Sequence, residues 1–288
     1  MAASAAPELI ERAAEAVASA DALLIGAGAG MGVDSGLPDF RGDRGFWRAY
    51  PVYEKLGLDF ASMANPRWFR ADPALAWGFY GHRLELYRAT TPHAGFAALA
   101  GLAEARPRGA FVFTSNVDGQ FQRAGFGADR VVEVHGAIDW MQCTAQCGVG
   151  IFSADAHRVE VDPETFRARE PLPACPRCLA LARPNILMFG DGDWDSARTE
   201  RQEARLAGFL EGLRGGYRLA IIECGAGSAI PTVRRTCERA ARAFGATLIR
   251  VNPREADVPA GGIGLAFGAQ EGLLAIAEAV ARLGASRP

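Results

Sequence analysis

Short apolar runs recur along this chain, and each stops at a glycine or a polar residue, which is the pattern of buried strands in a parallel sheet. Between them lie stretches whose apolar residues recur every three or four positions, as in helices that bury one face. The first such helix is predicted to begin at Pro7 and to carry its apolar stripe to Val17. The alternation predicts an α/β fold built on a Rossmann-like parallel sheet. The predicted strands lie at 23–25, 110–114, 131–136, 219–223 and 247–251.

The segment 42–91 interrupts this alternation. It is rich in aromatic residues and poor in strand patterns, and its longest helical pattern runs from Leu75 to Arg88. Such a segment suits a lid over a ligand, although we expect most of its aromatic residues to form the core of a helical insertion.

The stretch after the first predicted strand contains four alternating glycines, Gly26, Gly28, Gly30 and Gly32. Glycines in a turn after a strand allow a nucleotide's phosphates to approach backbone N–H groups. The third glycine of the common dinucleotide fingerprint G-x-G-x-x-G is missing, because Val33 occupies its position when the count starts at Gly28. The pattern therefore favours a nucleotide ligand but disfavours an ordinary hydride-transferring enzyme.

Polar side chains follow two further predicted strands. Asn116 and Asp118 come after the strand at 110–114, and His135 ends the run at 131–136. The carboxyl ends of strands in open α/β sheets bind ligands, and a neutral histidine can accept a proton at physiological pH. Each residue also has a structural interpretation, as a turn and helix cap for the first two and as a hydrogen-bonded structural residue for His135.

Two pairs of cysteines at short spacing form the strongest chemical signal in the chain. Four thiolates can converge tetrahedrally on one zinc ion and leave no open position, which predicts a structural site. Cys224 and Cys237 lie outside the pairs and are expected to be small buried residues. The pairs are Cys143 with Cys147, and Cys175 with Cys178.

Composition narrows the function classes. The 288 residues are 49% hydrophobic and 22% charged, with a net charge of −2, so the chain can bury a large core and has no overall basic footprint for nucleic acid. No stretch approaches the roughly 20 apolar residues of a membrane span, and the N-terminus lacks a leader pattern. We therefore expect a cytoplasmic protein without membrane or specific nucleic-acid partners, and its oligomeric state is open.

The segment 28–41, which ends in Ser-Gly-Leu-Pro-Asp-Phe-Arg, resembles the cofactor loop of the sirtuins, NAD-dependent protein-lysine deacylases. The Asn-Val-Asp turn, the His-Gly pair, the four cysteines and the run 183–191 also resemble sirtuin motifs, in family order, over roughly 20–275. The resemblance implies NAD and zinc as cofactors and acylated protein lysines as substrates.

The resemblance also implies roles for particular residues. His135 would be the general base, and Asn116 would assist catalysis. Met188, Phe189 and Gly190 would contact the substrate peptide through an extended run, although a plain sheet strand is the competing interpretation. The residues implied to bind NAD are Gly28, Ala29, Gly30, Asp39, Phe40, Arg41, Ser115, Asn116, Asp118, Gly225, Ser228 and Asn252.

Two departures from the family pattern affect these roles. Ser115 stands where sirtuins have glutamine, which puts the usual contact to the cofactor ribose in doubt. The turn at 225–228 reads Gly-Ala-Gly-Ser in place of Gly-Thr-Ser, so the match of Gly225 and Ser228 to the family's NAD-binding residues is less direct.

The predicted organisation is a discontinuous NAD-binding domain with a smaller helical and zinc-binding module. The first comprises 1–41, 92–137 and 190–288, and the second comprises the helical lid 42–91 and the zinc module 138–189. The predicted function is NAD-dependent deacylation. The alternatives are an NAD glycohydrolase or protein ADP-ribosyltransferase, and a non-enzymatic NAD or ADP-ribose sensor.

Tyr80 and Arg83 concern which acyl group the protein would remove. Their three-residue spacing places both on one helix face, where a phenol and a guanidinium could hold a carboxylate. The pair resembles the Tyr-x-x-Arg motif of sirtuins that remove succinyl and other acidic groups. The alternative is that Tyr80 belongs to an apolar stripe and that Arg83 flanks it in solvent.

Overall fold

The computed structural model of the chain describes residues 6–38 and 42–285. The strands are β1 Ala22–Ala27, β2 Ala110–Thr114, β3 Val131–Glu133, β4 Gly136–Cys143, β5 Phe152–Ser153, β6 Ala182–Ile186, β7 Leu219–Cys224, β8 Thr247–Val251 and β9 Ile263–Leu265. The α-helices are α1 Ala6–Ser19, α2 Gly42–Ala49, α3 Pro51–Lys55, α4 Phe60–Met63, α5 Trp68–Ala71, α6 Pro73–Ala89, α7 Ala94–Glu104, α8 Gln120–Arg123, α9 Ala197–Glu211, α10 Thr232–Phe244 and α11 Ala269–Ala285. Two 3₁₀ helices span Ala29–Ser35 and Ala128–Arg130.

Six strands form one parallel sheet in the order β3-β2-β1-β7-β8-β9. The central strand β1 pairs with β2 on one side and with β7 on the other, so that Leu24 stands opposite Phe111 and Ile221. The chain therefore adds β2 and β3 on one side of β1 and later adds β7, β8 and β9 on the other side. The carboxyl ends of β1 and β7 form the switch point at which open α/β sheets bind ligands. The prediction of a Rossmann-like sheet is confirmed.

Helices cover both faces of this sheet. On one face α1, α7 and α11 pack against Leu23, Ile25 and Val112, and on the other α9 and α10 pack against Leu24 and Ile221. Burial of each such side chain stabilises the fold by about 1.5–3 kcal/mol. Because both faces are buried, the strands appear in the sequence as continuous apolar runs.

The predicted strand 131–136 is wrong in its second half. The parallel strand β3 ends at Glu133, and Gly136 adopts a positive φ of 75° and begins β4 in a different sheet. A Cβ at Gly136 would lie 2.0 Å from the Asn185 carbonyl oxygen, so only glycine fits this close approach. The turn leaves His135 between the two sheets.

The second sheet is small and antiparallel, in the order β5-β4-β6. It packs with the helices α2–α6 around a buried aromatic core, in which the rings of Phe46 and Tyr53 stack at a centroid distance of 5.8 Å. Most aromatic residues of the helical segment are thus core residues, as predicted. Leu37 and Val117, from turns of the large sheet, join the same cluster.

The domain boundaries given above stay predictions. None of the helices within the described ranges is long and apolar enough to cross a membrane. Cys224 and Cys237 are both buried, as expected from their separation from the cysteine pairs.

Candidate active site

A cavity of about 450 Å³ lies at the switch point, between the strand ends of the large sheet and the helices α2–α6, which we call the helical module. Its walls come from six parts of the chain, most of them distant in sequence, which is typical of a ligand site in an α/β protein. The lining includes Gly28, Ala29, Leu37 and Pro38 after β1, residues 115–118 after β2, His135, residues 186–189 after β6, Gly225, Ala226, Gly227, Ala229 and Ile230 after β7, and Phe60, Ala64, Tyr80, Arg83 and Tyr87 of the helical module.

The glycine turn after β1 packs directly on the turn after β7. A Cβ at Gly28 would lie 2.7 Å from the Ala226 Cα, and one at Gly26 would lie 2.3 Å from the Cys237 Sγ. These glycines therefore have a packing role, beyond the predicted one of admitting phosphates. Gly28 and Ala29 remain on the cavity wall.

The turn after β2 brings three predicted residues to the cavity. Asn116 Nδ2 donates to the Gly28 carbonyl oxygen at 3.0 Å, which ties this turn to the glycine turn. The Asp118 Oδ1 accepts from the Gln120 backbone N–H at 2.9 Å, so the predicted capping role exists together with access to the cavity. Burial raises the pKa of the Asp118 carboxyl to about 6. Ser115 also lines the cavity.

His135 lies where the chain passes from the large sheet to the small one. Its backbone carbonyl accepts from the Leu187 N–H at 2.9 Å, which fixes this turn to the segment after β6. Burial lowers the pKa of the His135 imidazole, and a contact with the Ser115 backbone partly offsets this. The imidazole is therefore neutral at physiological pH and can accept a proton from a group in the cavity.

The segment after β6 forms the outer wall. Its backbone N–H groups are all engaged within the protein: Leu187 with the His135 carbonyl, Met188 with the Asp191 carboxylate and Phe189 with the Ala64 carbonyl. The buried ion pair of Arg183 with Asp191, at 2.8 Å, holds this turn in place. Met188 and Phe189 line the cavity, and the N–H groups of residues 187–189 are already paired within the protein.

The helical module closes the inner end of the cavity with Tyr80, Arg83 and Tyr87, all on α6. Arg83 is buried, so the interpretation that it flanks the helix in solvent is wrong. Its Nε and Nη2 atoms donate to the Tyr87 hydroxyl oxygen at 2.9 and 2.7 Å. The Tyr80 hydroxyl is buried and has no hydrogen-bond partner among the described residues.

The sequence pattern did not identify Tyr87, Phe60 and Ala64 as residues of the cavity wall. Tyr87 follows Arg83 by four positions in a helix, and this spacing was the available signal for their contact. Phe60 and Ala64 reach the site only through the tertiary packing of short helices.

Several predicted residues are absent from the cavity wall within the described part of the chain. Asn252 is fully buried, and its Nδ2 donates to the Ala226 carbonyl oxygen at 3.0 Å, so it supports the turn after β7 from behind. Ser228 is exposed, and its N–H donates to the Glu255 carboxylate at 2.8 Å. The other absent residues are Gly30 and Gly190. The predicted contacts of Asp39, Phe40 and Arg41 lie outside the described residues.

The four paired cysteines meet at one end of the small sheet. Their sulfur atoms all lie within 4.8 Å of one another, with Cys143 to Cys178 at 3.5 Å and Cys147 to Cys175 at 3.6 Å. Zinc held by four sulfurs at about 2.3 Å requires sulfur separations of about 3.8 Å. The cluster therefore fits a structural zinc ion, which would join β4 to the segment before β6.

Comparison with known proteins agrees with this architecture. The model of the Sir2 family matches residues 28–207, which is more than half of the 288 residues. The chain belongs to the Sir2 family.

Similar proteins come from distant organisms. The chain is 33% identical over 183 residues to the NAD-dependent protein deacylase of Thermococcus sibiricus, a match that covers 64% of this chain and 66% of that protein. It is 35% identical over 193 residues to the NAD-dependent protein deacylase sirtuin-5, mitochondrial, of Danio rerio, covering 62% and 59%. The chain thus spans less than two thirds of the length of these relatives. A solved structure described as a Sir2 homolog–NAD complex superposes with a TM-score of 0.70 and 26% identity over 95% of this chain and 94% of that one.

Proposed function

We propose that the protein is an NAD-dependent protein-lysine deacylase. One observation carries the proposal: His135, Asn116 and Asp118 line a single cavity together with the glycine turn after β1 and the segment after β6. The names of its relatives support the activity, and the solved NAD complex of similar fold supports NAD as the co-substrate.

The proposed reaction consumes NAD, acyl-lysine and water, and yields nicotinamide, acyl-ADP-ribose and free lysine. The acyl oxygen displaces nicotinamide from the ribose carbon, and the neutral His135 then accepts the proton of a ribose hydroxyl as that oxygen attacks the acyl carbon. Asn116 and Asp118 are proposed to hold the nicotinamide end through their amide and carboxyl groups. Zinc is proposed to have only a structural role.

The substrate is proposed to lie along residues 187–189, between the large sheet and the helical module. Because the N–H groups of this segment are engaged, the peptide would donate its own N–H groups to carbonyl oxygens of the segment. Three apolar side chains are exposed around the entrance, namely Leu187 (38%), Phe189 (42%) and Ile230 (50%). Substrate peptides with apolar residues near the acyl-lysine would therefore be favoured. Cytoplasmic location and the absence of nucleic-acid partners stay predictions.

Tyr80 and Arg83 are proposed to select acidic acyl groups. The Tyr80 hydroxyl is buried without a partner in the described part of the chain, and the Arg83 guanidinium beside it would attract a carboxylate, which could accept from that hydroxyl. Arg83→Met should therefore lower kcat/KM for a succinyl-lysine peptide about ten- to a hundred-fold and leave the acetyl-lysine reaction nearly unchanged.

Nicotinamide release from NAD tests the activity. We expect release only when an acyl-lysine peptide is present, with loss of that release in His135→Ala. Release without peptide would support the NAD glycohydrolase or ADP-ribosyltransferase alternative. The short Ser115 side chain at the cavity wall is compatible with that alternative. No release under either condition, with NAD still bound, would support the sensor.

A further inference from the structure

The hydrogen bonds around Tyr87 determine where its hydroxyl hydrogen can point. Two nitrogen atoms of Arg83 donate to the Tyr87 oxygen, at 2.9 and 2.7 Å. A guanidinium carries only donors, so it cannot accept the phenolic hydrogen. With both lone pairs of the oxygen engaged by Arg83, the O–H bond must point away from the guanidinium.

Within the described ranges of the chain this hydrogen has no acceptor. Tyr87 is 4% exposed and lines the cavity, so an acceptor for this hydrogen would have to lie in the cavity. Burial raises the pKa of the Tyr87 hydroxyl, which therefore stays a donor at physiological pH. An unsatisfied buried donor costs about 1–3 kcal/mol, and such a group at a cavity wall is positioned to donate to a bound ligand.

Tyr80 presents a second donor at the same end of the cavity. Its hydroxyl is buried without a partner in the described part of the chain, and the Arg83 Cζ lies 5.9 Å from the Tyr80 ring centre and 5.3 Å from that of Tyr87. Two phenol donors and a guanidinium thus surround one region. A carboxylate offers about four acceptor positions and suits this set better than the methyl of an acetyl group.

We propose that Tyr87 is a third binding residue of the acyl pocket, and that its hydroxyl donates a hydrogen bond to the terminal carboxylate of an acidic acyl group. This inference rests on the proposed deacylase function and adds a residue to its specificity. Arg83 is then held in place by the same hydroxyl that binds the acyl carboxylate, so the two residues act on the ligand together.

A double-mutant cycle separates direct binding from mere support of Arg83. The variants are Tyr87→Phe, Arg83→Met and the two combined, and the measured quantity is the Kd of labelled succinyl-lysine and acetyl-lysine peptides for the full chain, by fluorescence anisotropy. We expect Tyr87→Phe to weaken the succinyl peptide about tenfold, since a hydrogen bond to a charged group is lost. We also expect a loss of several-fold to persist when Arg83 is already Met.

Tyr53→Phe is the matched control, because the Tyr53 hydroxyl is likewise buried and has no partner among the described residues but lies off the cavity wall. It should leave both Kd values unchanged. The proposal is overturned if Tyr87→Phe has no effect in the Arg83→Met background, which would make Tyr87 a positioning residue only. Equal weakening of both peptides would overturn it as well.

Failure of the deacylase function gives a different result. In that case the unmodified protein would release no nicotinamide with any acyl peptide, while the binding measurements would still report on Tyr87. A protein that binds neither peptide would overturn both proposals. One that binds and deacylates acetyl but not succinyl peptides would overturn the binding of an acidic acyl group by Tyr87, Tyr80 and Arg83 and would leave the deacylase function standing.

Discussion

The Gly30 backbone N–H donates to the Gly225 carbonyl oxygen at 3.0 Å, and a Cβ at Gly30 would lie 2.7 Å from the Gly225 Cα. The turns after β1 and β7 therefore meet backbone to backbone at the switch point. Any side chain on either glycine would force the two turns apart. Since both turns line the cavity, their contact determines the shape of the proposed cofactor site.

Gly225→Ala should lower both stability and NAD affinity. Gly225 has a φ of 61°, and an added Cβ would lie 2.3 Å from the Gly30 carbonyl carbon, so the substitution combines backbone strain with a clash. We expect a loss of at least about 1–3 kcal/mol in the free energy of unfolding, measured with urea. Gly227→Ala is the control for stability, because its nearest neighbour would be 4.0 Å away. Equal stabilities of the two variants would contradict this account.

The sequence pattern predicted the sheet because strands buried on both faces must be continuously apolar. Strand β2 and strand β8 have the bounds that were predicted, whereas β4 was missed since Gly136 redirects the chain through a tertiary contact with Asn185. Local patterns do not report such contacts. The predicted cysteine cluster follows from short-range spacing, which explains why it is found as expected.

The site was less predictable than the fold. Gly28 and Gly30 have a packing role that only the turn after β7 reveals, and the burial of Arg83 depends on which elements cover α6. Asn252 is polar and follows a strand, yet it turns behind the loop instead of facing the cavity. Polar residues at strand ends thus identify the edge of the sheet that binds a ligand, but not the direction of each side chain.

The activity should depend on a neutral His135. Because burial lowers the pKa of this imidazole below its usual 6.5, kcat/KM should fall only at pH values under that level and stay constant from about pH 7 to 8. His135→Ala should lower turnover by roughly 10² to 10⁴ at constant NAD affinity. His157→Ala, on the small module away from the cavity, is the control. If the fall in kcat/KM at low pH disappeared in Asp118→Asn, the group that titrates would be Asp118 and not His135.

Asp118 should make the protein less stable as the pH rises. Its folded pKa of about 6 exceeds the value of 3.8 expected without burial, so the folded state holds a proton between these values that the unfolded state has lost. Stability therefore falls through this window, by about 1 kcal/mol between pH 5 and pH 8. In Asp118→Asn the free energy of unfolding in urea should lack this part of the decrease, because an amide does not titrate. The amide oxygen can still accept from the Gln120 N–H, so the turn should be retained. Identical pH dependence in both proteins would contradict the prediction.

Removal of the predicted zinc should loosen the small module. Cys175→Ala should abolish metal binding, and a chelator should lower the Tm of the unmodified protein, because the binding energy of a four-thiolate site is largely folding energy. Metal analysis of the purified protein should find about one zinc per chain. Cys224→Ala removes a buried thiol outside the cluster and should retain the metal. Freshly purified protein without zinc would refute the assignment.

The 27 residues between the cysteine pairs contain a strap, residues 157–169, that packs on α6. Arg167 forms a double hydrogen bond with the Asp72 carboxylate at 2.9 and 2.6 Å, and the Ala168 N–H donates to the Ala74 carbonyl at 2.8 Å. A Cβ at Gly78 would lie only 1.9 Å from the Phe166 carbonyl oxygen. The strap therefore lies against the helix that carries Tyr80 and Arg83, at a position where only glycine leaves room.

Gly78→Ala and Gly101→Ala make a matched pair, because both glycines lie inside helices. Alanine is about 1 kcal/mol more favourable than glycine in a helix, so Gly101→Ala, which has nothing within 4 Å of its added Cβ, should raise the free energy of unfolding by about 0.5–1 kcal/mol. Gly78→Ala should lower it by about 1–3 kcal/mol, because the strap backbone must move. Limited proteolysis should also cut the strap faster in this variant. If Gly78→Ala stabilised the protein as Gly101→Ala does, the strap would not be packed on α6 in solution.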